Sequence, residues 1–113
     1  VAIQAENCAP LAKAFEKQEL IAKPVRIEGT LAEGIAIAVP ARSKQILEAI
    51  RETEGTFITF GEEAIAESRK KLAAKGFYVE ITSAINYAGY LKYSKSQDEV
   101  IMVLLCGAGI KSN

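Results

Sequence analysis

The sequence contains no histidine, and its 113 residues include two cysteines, Cys8 and Cys106, near opposite ends. Without histidine the chain has no catalytic triad or dyad built on an imidazole. The cysteines lack the C-x-x-C spacing of a zinc site, so the sequence predicts no metal site. Two lone cysteines in apolar surroundings are typical of reduced core thiols in a cytosolic protein, although a single long-range disulfide also fits their number.

An excess of charge of one sign is missing as well. The 14 lysines and arginines balance the 14 aspartates and glutamates, and no run of five or six like charges occurs. The one basic cluster, Arg69-Lys70-Lys71, follows acidic residues in the same helical pattern and is typical of a solvated helix face. The charge pattern therefore predicts no nucleic-acid partner.

Long hydrophobic runs are missing too. No stretch approaches the roughly 18 apolar residues of a membrane helix, and the N-terminus lacks the basic start and apolar core of a signal peptide. We therefore expect a soluble, cytoplasmic protein without a membrane partner. The chain begins at Val1 rather than at a methionine, and residues 1–5 already have the pattern of a strand, so we expect it to have been cut from something longer.

What is present is typical of one globular domain: half of the residues are apolar and a quarter are charged. Hydrophobic periodicity, Gly and Pro breakers and charge placement predict alternating elements. The predicted strands are residues 1–5, 56–60, 77–80 and 100–105, the last of them fully buried, and the predicted helices are one around residues 10–17, then 41–54, 61–75 and one that starts at Thr82-Ser83. Between the first two helices, residues 18–35 lose their period and predict a long loop.

This alternation predicts an α/β fold of three layers, αβα, with a mostly parallel sheet and helices on both faces. Ligands of such sheets bind beyond the carboxyl ends of the strands. Glu80 and Cys106 each follow a predicted strand at that end. The sequence therefore predicts a site that contains both residues.

Two simpler interpretations stay open for these residues. Gly107-Ala-Gly109 partly mimics a dinucleotide-binding fingerprint, but the third glycine, a following helix and a later acidic residue are missing, which favours a tight turn after a buried strand. Cys106 fits a small core residue. Glu80 needs solvent or a polar partner, and Thr82 and Ser83 can supply one.

Four segments in this order resemble the C-terminal part of the threonine synthase family. They are Ala32-Glu-Gly-Ile-Ala-Ile37, Pro40-Ala-Arg42 followed by Gln45-Ile-Leu47, Gly76-Phe-Tyr-Val-Glu-Ile-Thr-Ser-Ala84, and Cys106-Gly-Ala-Gly-Ile-Lys111. The resemblance extends from Val1 to Lys111. It implies a pyridoxal-phosphate (PLP) enzyme with the fold of the tryptophan synthase β-subunit, called fold type II, that acts as a homodimer on a small amino-acid substrate.

The resemblance also implies a cofactor site formed by Glu80, Cys106 and Gly107, and it assigns no catalytic residue. Glu80 to Ala84 matches a Glu-Pro-Thr/Ser-Ser-Ala segment whose glutamate lies near the cofactor ring, although Ile81 replaces the usual proline. Cys106 to Lys111 matches a Thr/Ser-Gly-x-Gly-Leu-Lys ending whose first residue hydrogen-bonds the pyridine nitrogen. A thiol is a weak donor that can take this role.

As a member of this family, the full enzyme would convert O-phosphohomoserine and water into threonine and phosphate. The family's cofactor-binding lysine and its glycine-rich phosphate loop have no counterpart in this sequence. We therefore expect residues 1–113 to be a C-terminal piece of the catalytic domain that is inactive alone and binds PLP weakly or not at all. The alternatives are a serine/threonine dehydratase, in some of which cysteine also occupies the position of Cys106, a cysteate synthase, or a non-enzymatic α/β binding domain.

Overall fold

The structure is a computed structural model that describes residues 1–93 and 98–112. Strands and helices alternate along the chain as strand, two helices, strand, two helices. The bounds are β1 Ala2–Ala5, α1 Pro10–Glu16, α2 Ser43–Glu52, β2 Phe57–Phe60, α3 Glu62–Ala74 and α4 Ile81–Lys92, with 3-10 turns at Glu33–Ile35 and Gly109–Ser112. None of the helices in this described part is long and apolar enough to cross a membrane.

The two strands pair in parallel, with Ala2 opposite Phe57 and Ala5 opposite Phe60. Parallel neighbours need a crossover connection, and α1, the long loop and α2 supply it. Because side chains alternate along each strand, one set of strand residues faces each side of the sheet. The prediction of an α/β fold with a parallel sheet is confirmed.

One face of the sheet packs against α3 and α4. Ala5 and Phe60 form a buried cluster with Ile65 of α3 and with Ile85 and Ala88 of α4. Both helices therefore depend on the strand residues that point to this side.

The opposite face carries α1 and α2. Leu11 and Ala14 of α1 pack with Leu47 of α2, and Phe15 and Phe57 lie against this cluster. The rings of Phe15 and Phe57 have centroids 5.4 Å apart. Helices thus cover both faces of the sheet, which makes the predicted three layers.

The prediction of a strand over residues 77–80 is wrong. In this region Val79 forms one isolated antiparallel bridge, to Ala108, and Phe77 and Tyr78 are exposed. Gly76 follows the end of α3, and its φ of +94° turns the chain sharply. The next helix, α4, already begins at Ile81, which leaves little length for a ladder.

The prediction of a fully buried strand over residues 100–105 is also wrong. These residues carry no ladder in the structure, and Val100 and Met102 are 98% and 85% exposed. Exposure alternates along the segment, so that residues 101, 103 and 105 are half-buried and their neighbours are exposed. An apolar run predicts an extended backbone, but burial on both faces requires neighbours that the described residues do not provide.

The predicted long loop is present, and hydrogen bonds fasten it to the starts of α3 and α4. The Glu62 carboxylate in the first turn of α3 accepts the Thr30 hydroxyl at 2.6 Å and the Leu31 backbone N–H at 2.5 Å. The Gly34 N–H donates to the Thr82 hydroxyl at 3.2 Å. Residues 30–34 of the loop therefore lie beside the starts of α3 and α4.

Replacing Glu62 by alanine is expected to free this part of the loop, because the change removes the acceptor of two hydrogen bonds. The expected loss of stability is about 1–3 kcal/mol, with faster amide exchange at Leu31. Glu63→Ala is the matched control, since it removes the same charge from the same helix turn. Equal exchange at Leu31 in both variants would contradict the anchoring role of Glu62.

Candidate functional site

The residues that the sequence predicts as a site, Glu80, Cys106 and Gly107, meet at the start of α4. Glu80 is the residue before the first turn of this helix, and its backbone N–H donates to the Gly107 carbonyl at 3.3 Å. The Glu80 side chain lies against Gly107, so a Cβ atom at position 107 would overlap its carboxyl carbon. Two segments that are remote in sequence thus form one wall.

Cys106 is exposed and Cys8 is buried, and both are free thiols. The expectation of a core thiol therefore holds for Cys8 and is wrong for Cys106. The Cys106 backbone N–H donates to the Ser83 hydroxyl at 2.7 Å. This contact fixes the backbone at Cys106, while the residue itself remains exposed.

The glycine turn after Cys106 has a strict steric basis. Gly107 has φ +70°, a conformation that other residues adopt at a cost. The Gly109 N–H donates to the Tyr78 carbonyl at 3.0 Å, and a Cβ at Gly109 would crowd the Tyr78 ring. The chain bends at Gly107, but no buried strand precedes the bend as predicted, and a single 3-10 turn at Gly109–Ser112 follows it where no helix was expected.

Sequence reasoning missed how Thr82 and Ser83 are used. The sequence predicts these residues at the start of a helix and as polar partners for Glu80, yet the helix begins at Ile81 and no side chain caps it. They accept backbone N–H groups from two distant segments instead, that of Gly34 and that of Cys106. Two adjacent hydroxyls at a helix start were the available signal, but their partners depend on the tertiary fold.

An apolar groove of about 350 Å³ lies along the 100–104 segment, next to this wall. It is lined by Val1 and Ile3 of β1, by Asn86, Gly89, Tyr90 and Tyr93 of α4, and by residues 100–104. At its end the Tyr93 hydroxyl donates to the Glu99 carboxylate at 2.8 Å. This hydrogen bond, the negative charge of Glu99 and partial desolvation raise the pKa of the half-buried Tyr93 phenol.

Comparison with known proteins identifies the family of this arrangement. Residues 1–107 match the pyridoxal-phosphate dependent enzyme family. The chain belongs to this family. The threonine synthase of Methanocaldococcus jannaschii is 33% identical over 114 aligned positions, which cover 96% of this chain and 28% of that enzyme. The threonine synthase of Methanosarcina acetivorans is 32% identical with the same coverage. The chain thus spans little more than a quarter of the length of these relatives.

Solved structures of two further enzymes share the fold. A threonine deaminase from T.th. superimposes with a TM-score of 0.65 at 22% identity, covering 80% of this chain and 29% of that chain. Maize serine racemase gives a TM-score of 0.62 at 19% identity, covering 79% and 27%. Together with the parallel sheet, these likenesses confirm the fold type II architecture.

The residues at the start of α4 fit the ring end of PLP. The exposed Cys106 thiol offers a neutral donor for a pyridine nitrogen. Gly107, which has no side chain, lets the Glu80 carboxyl group lie directly against the turn, where any Cβ would overlap it. Within residues 1–93 and 98–112 no cluster of His, Cys, Asp or Glu could hold a metal ion.

Proposed function

We propose that this chain is the C-terminal part of the catalytic domain of a threonine synthase, which converts O-phosphohomoserine and water into threonine and phosphate. The observation that carries the proposal is the match to two threonine synthases across 96% of the chain. The grouping of Glu80, Cys106 and Gly107 at one helix start supports it. The working enzyme would be a cytoplasmic homodimer with a small amino-acid substrate.

Each of the three residues has a role that follows from its chemistry. PLP, when bound, supplies an electron sink for the reacting amino acid. The Cys106 thiol would face the pyridine nitrogen as a neutral donor, so it places no negative charge there to hold a proton on the ring. Glu80 would lie beside the ring, and Gly107, without a side chain, would let the Glu80 carboxyl group pack against the turn after Cys106. None of the three is proposed to transfer a proton to the substrate.

The proposal is tested on the full reading frame that contains these residues. We expect visible absorbance from bound PLP, release of phosphate from O-phosphohomoserine, and threonine as the product. Serine and threonine are offered in parallel, and formation of 2-oxo acid from them without phosphate release would assign a dehydratase. Conversion of phosphoserine and sulfite would assign a cysteate synthase.

The same titration on the 113-residue chain alone is the internal comparison. We expect weak PLP binding or none, since the covalent anchor and the phosphate loop supply most of the hold on such a cofactor. A full-length protein that shows no cofactor absorbance would overturn the proposal and favour a non-enzymatic α/β domain.

A further inference from the structure

Two side chains of α4 hold the end of the extended segment that leads to Cys106. The Asn86 side-chain amide donates to the Leu104 carbonyl at 3.0 Å, and the Ser83 hydroxyl accepts the Cys106 N–H at 2.7 Å. In an extended chain, the carbonyl of one residue and the N–H of the second residue after it point to the same side. These are the two groups that a neighbouring strand would bind.

Ser83 and Asn86 are three residues apart and therefore lie on the same face of the helix. Their spacing lets one helix satisfy both backbone groups that flank residue 105. Side chains of α4 thus take the place of a strand at this point. This explains why the segment stays extended without a ladder.

The Ser83 contact holds the residue directly before the bend at Gly107. Ser83 is 6% exposed, so water competes little for its hydroxyl. On the other side of Cys106, the Glu80 N–H holds the Gly107 carbonyl. The first turn of α4 and the residue before it therefore hold the backbone on both sides of the Cys106 Cα atom. This fixes the direction of the Cα–Cβ bond that carries the thiol.

We propose that Ser83 is a positioning residue for the Cys106 thiol: by accepting the Cys106 N–H it fixes the direction in which the thiol meets the cofactor ring. The inference rests on the proposed PLP site. Ser83 acts through Cys106 and does not contact the ring. Asn86 aligns the same segment one step earlier.

The test uses the full-length protein and a double-mutant cycle. Ser83→Ala is expected to weaken PLP binding about three- to tenfold, as for the loss of one buried hydrogen bond, and to shift the absorbance of the bound cofactor. Once Cys106→Ala has removed the thiol, adding Ser83→Ala is expected to change binding no further. Independent effects that simply add would show a general structural role and overturn the proposal.

Two further variants separate positioning from the loss of a buried hydroxyl. Ser83→Thr keeps the acceptor and is expected to restore binding to within about twofold of the parent protein. Ser68→Ala is the matched control, because Ser68 is also a buried helical serine but donates within its own helix, to the Ile65 carbonyl at 2.8 Å. An effect of Ser68→Ala on PLP binding as large as that of Ser83→Ala would count against the proposal.

Amide exchange at Cys106, measured by mass spectrometry with single-residue fragmentation, gives a readout without the cofactor. Ser83→Ala should accelerate exchange at Cys106 at least about tenfold, since the amide loses its acceptor. Unchanged exchange would overturn the anchoring by Ser83, whatever PLP does. A parent protein that binds no PLP, with exchange at Cys106 still controlled by Ser83, would overturn the proposed function and with it the positioning of the thiol on the cofactor, and leave only the anchor.

Discussion

Gly107→Ala is expected to weaken PLP binding by the full-length protein about 30-fold or more. Gly107 has φ +70°, and a residue with a Cβ pays about 1–2 kcal/mol to adopt such a backbone. The new methyl group would also overlap the Glu80 carboxyl carbon, so the carboxylate must move or the turn must open. In the free variant the turn relaxes away from both costs, and PLP binding must restore the parental geometry, so a combined cost of about 2–4 kcal/mol appears as this loss of affinity. Titration with PLP, followed by its absorbance, measures it.

Gly76→Ala separates the two causes. Gly76 has φ +94°, but no atom lies within 4 Å of the Cβ that alanine would add. This variant therefore has the backbone strain without the overlap. Its position follows α3 and is not beside Cys106. We expect lower stability and parental PLP affinity. Gly107→Ala with parental affinity as well would remove Glu80 and Gly107 from the cofactor site.

The elements that the sequence predicts correctly are those whose signals are local. The helix α3 starts with Glu62 and Glu63 and has Lys71 in its last turn, as the helix dipole favours, and Gly76 follows its end. The strand β2, Phe57–Phe60, consists of aromatic and β-branched residues. In each case composition, capping and spacing agree, so no information about distant neighbours is needed.

The two wrong strand predictions show what local sequence signals do not determine. Residues 77–80 and 100–105 are apolar enough for strands, but a ladder requires a partner at the right distance, and a parallel partner is always remote in sequence. An apolar run also carries no information about whether both of its faces are covered. Val100 was predicted to be buried, yet it is 98% exposed.

The candidate site was predictable only in part. Glu80 and Cys106 followed from the rule that ligands bind at the carboxyl ends of strands, although neither residue follows a regular strand in the structure. The resemblance to threonine synthases added Gly107. These residues are joined by the hydrogen bond between the Glu80 N–H and the Gly107 carbonyl and by the contact between Ser83 and the Cys106 backbone. A serine at a helix start predicts a cap at least as well as such a contact. Only the fold places that hydroxyl beside residue 106.

Leu47→Ala is expected to cause the largest loss of stability among single core truncations on the α1–α2 side of the sheet. Leu47 is fully buried, at 0% exposure, and it packs between the two helices with Leu11 and Ala14. Truncation of a buried leucine costs about 2–5 kcal/mol, from lost burial and from the cavity left behind. Urea unfolding followed by circular dichroism gives the change in the free energy of unfolding.

Leu20→Ala is the control for this variant, because Leu20 is 70% exposed and its truncation should change the free energy of unfolding by less than about 0.5 kcal/mol. The position of the Leu47 cluster adds a sharper expectation. It lies across the sheet from α4, which carries Ser83 and follows Glu80. Below its unfolding transition, the Leu47→Ala protein should therefore bind PLP like its parent. A weakened PLP affinity in the folded variant would show that packing on one face of the sheet sets the site geometry on the other.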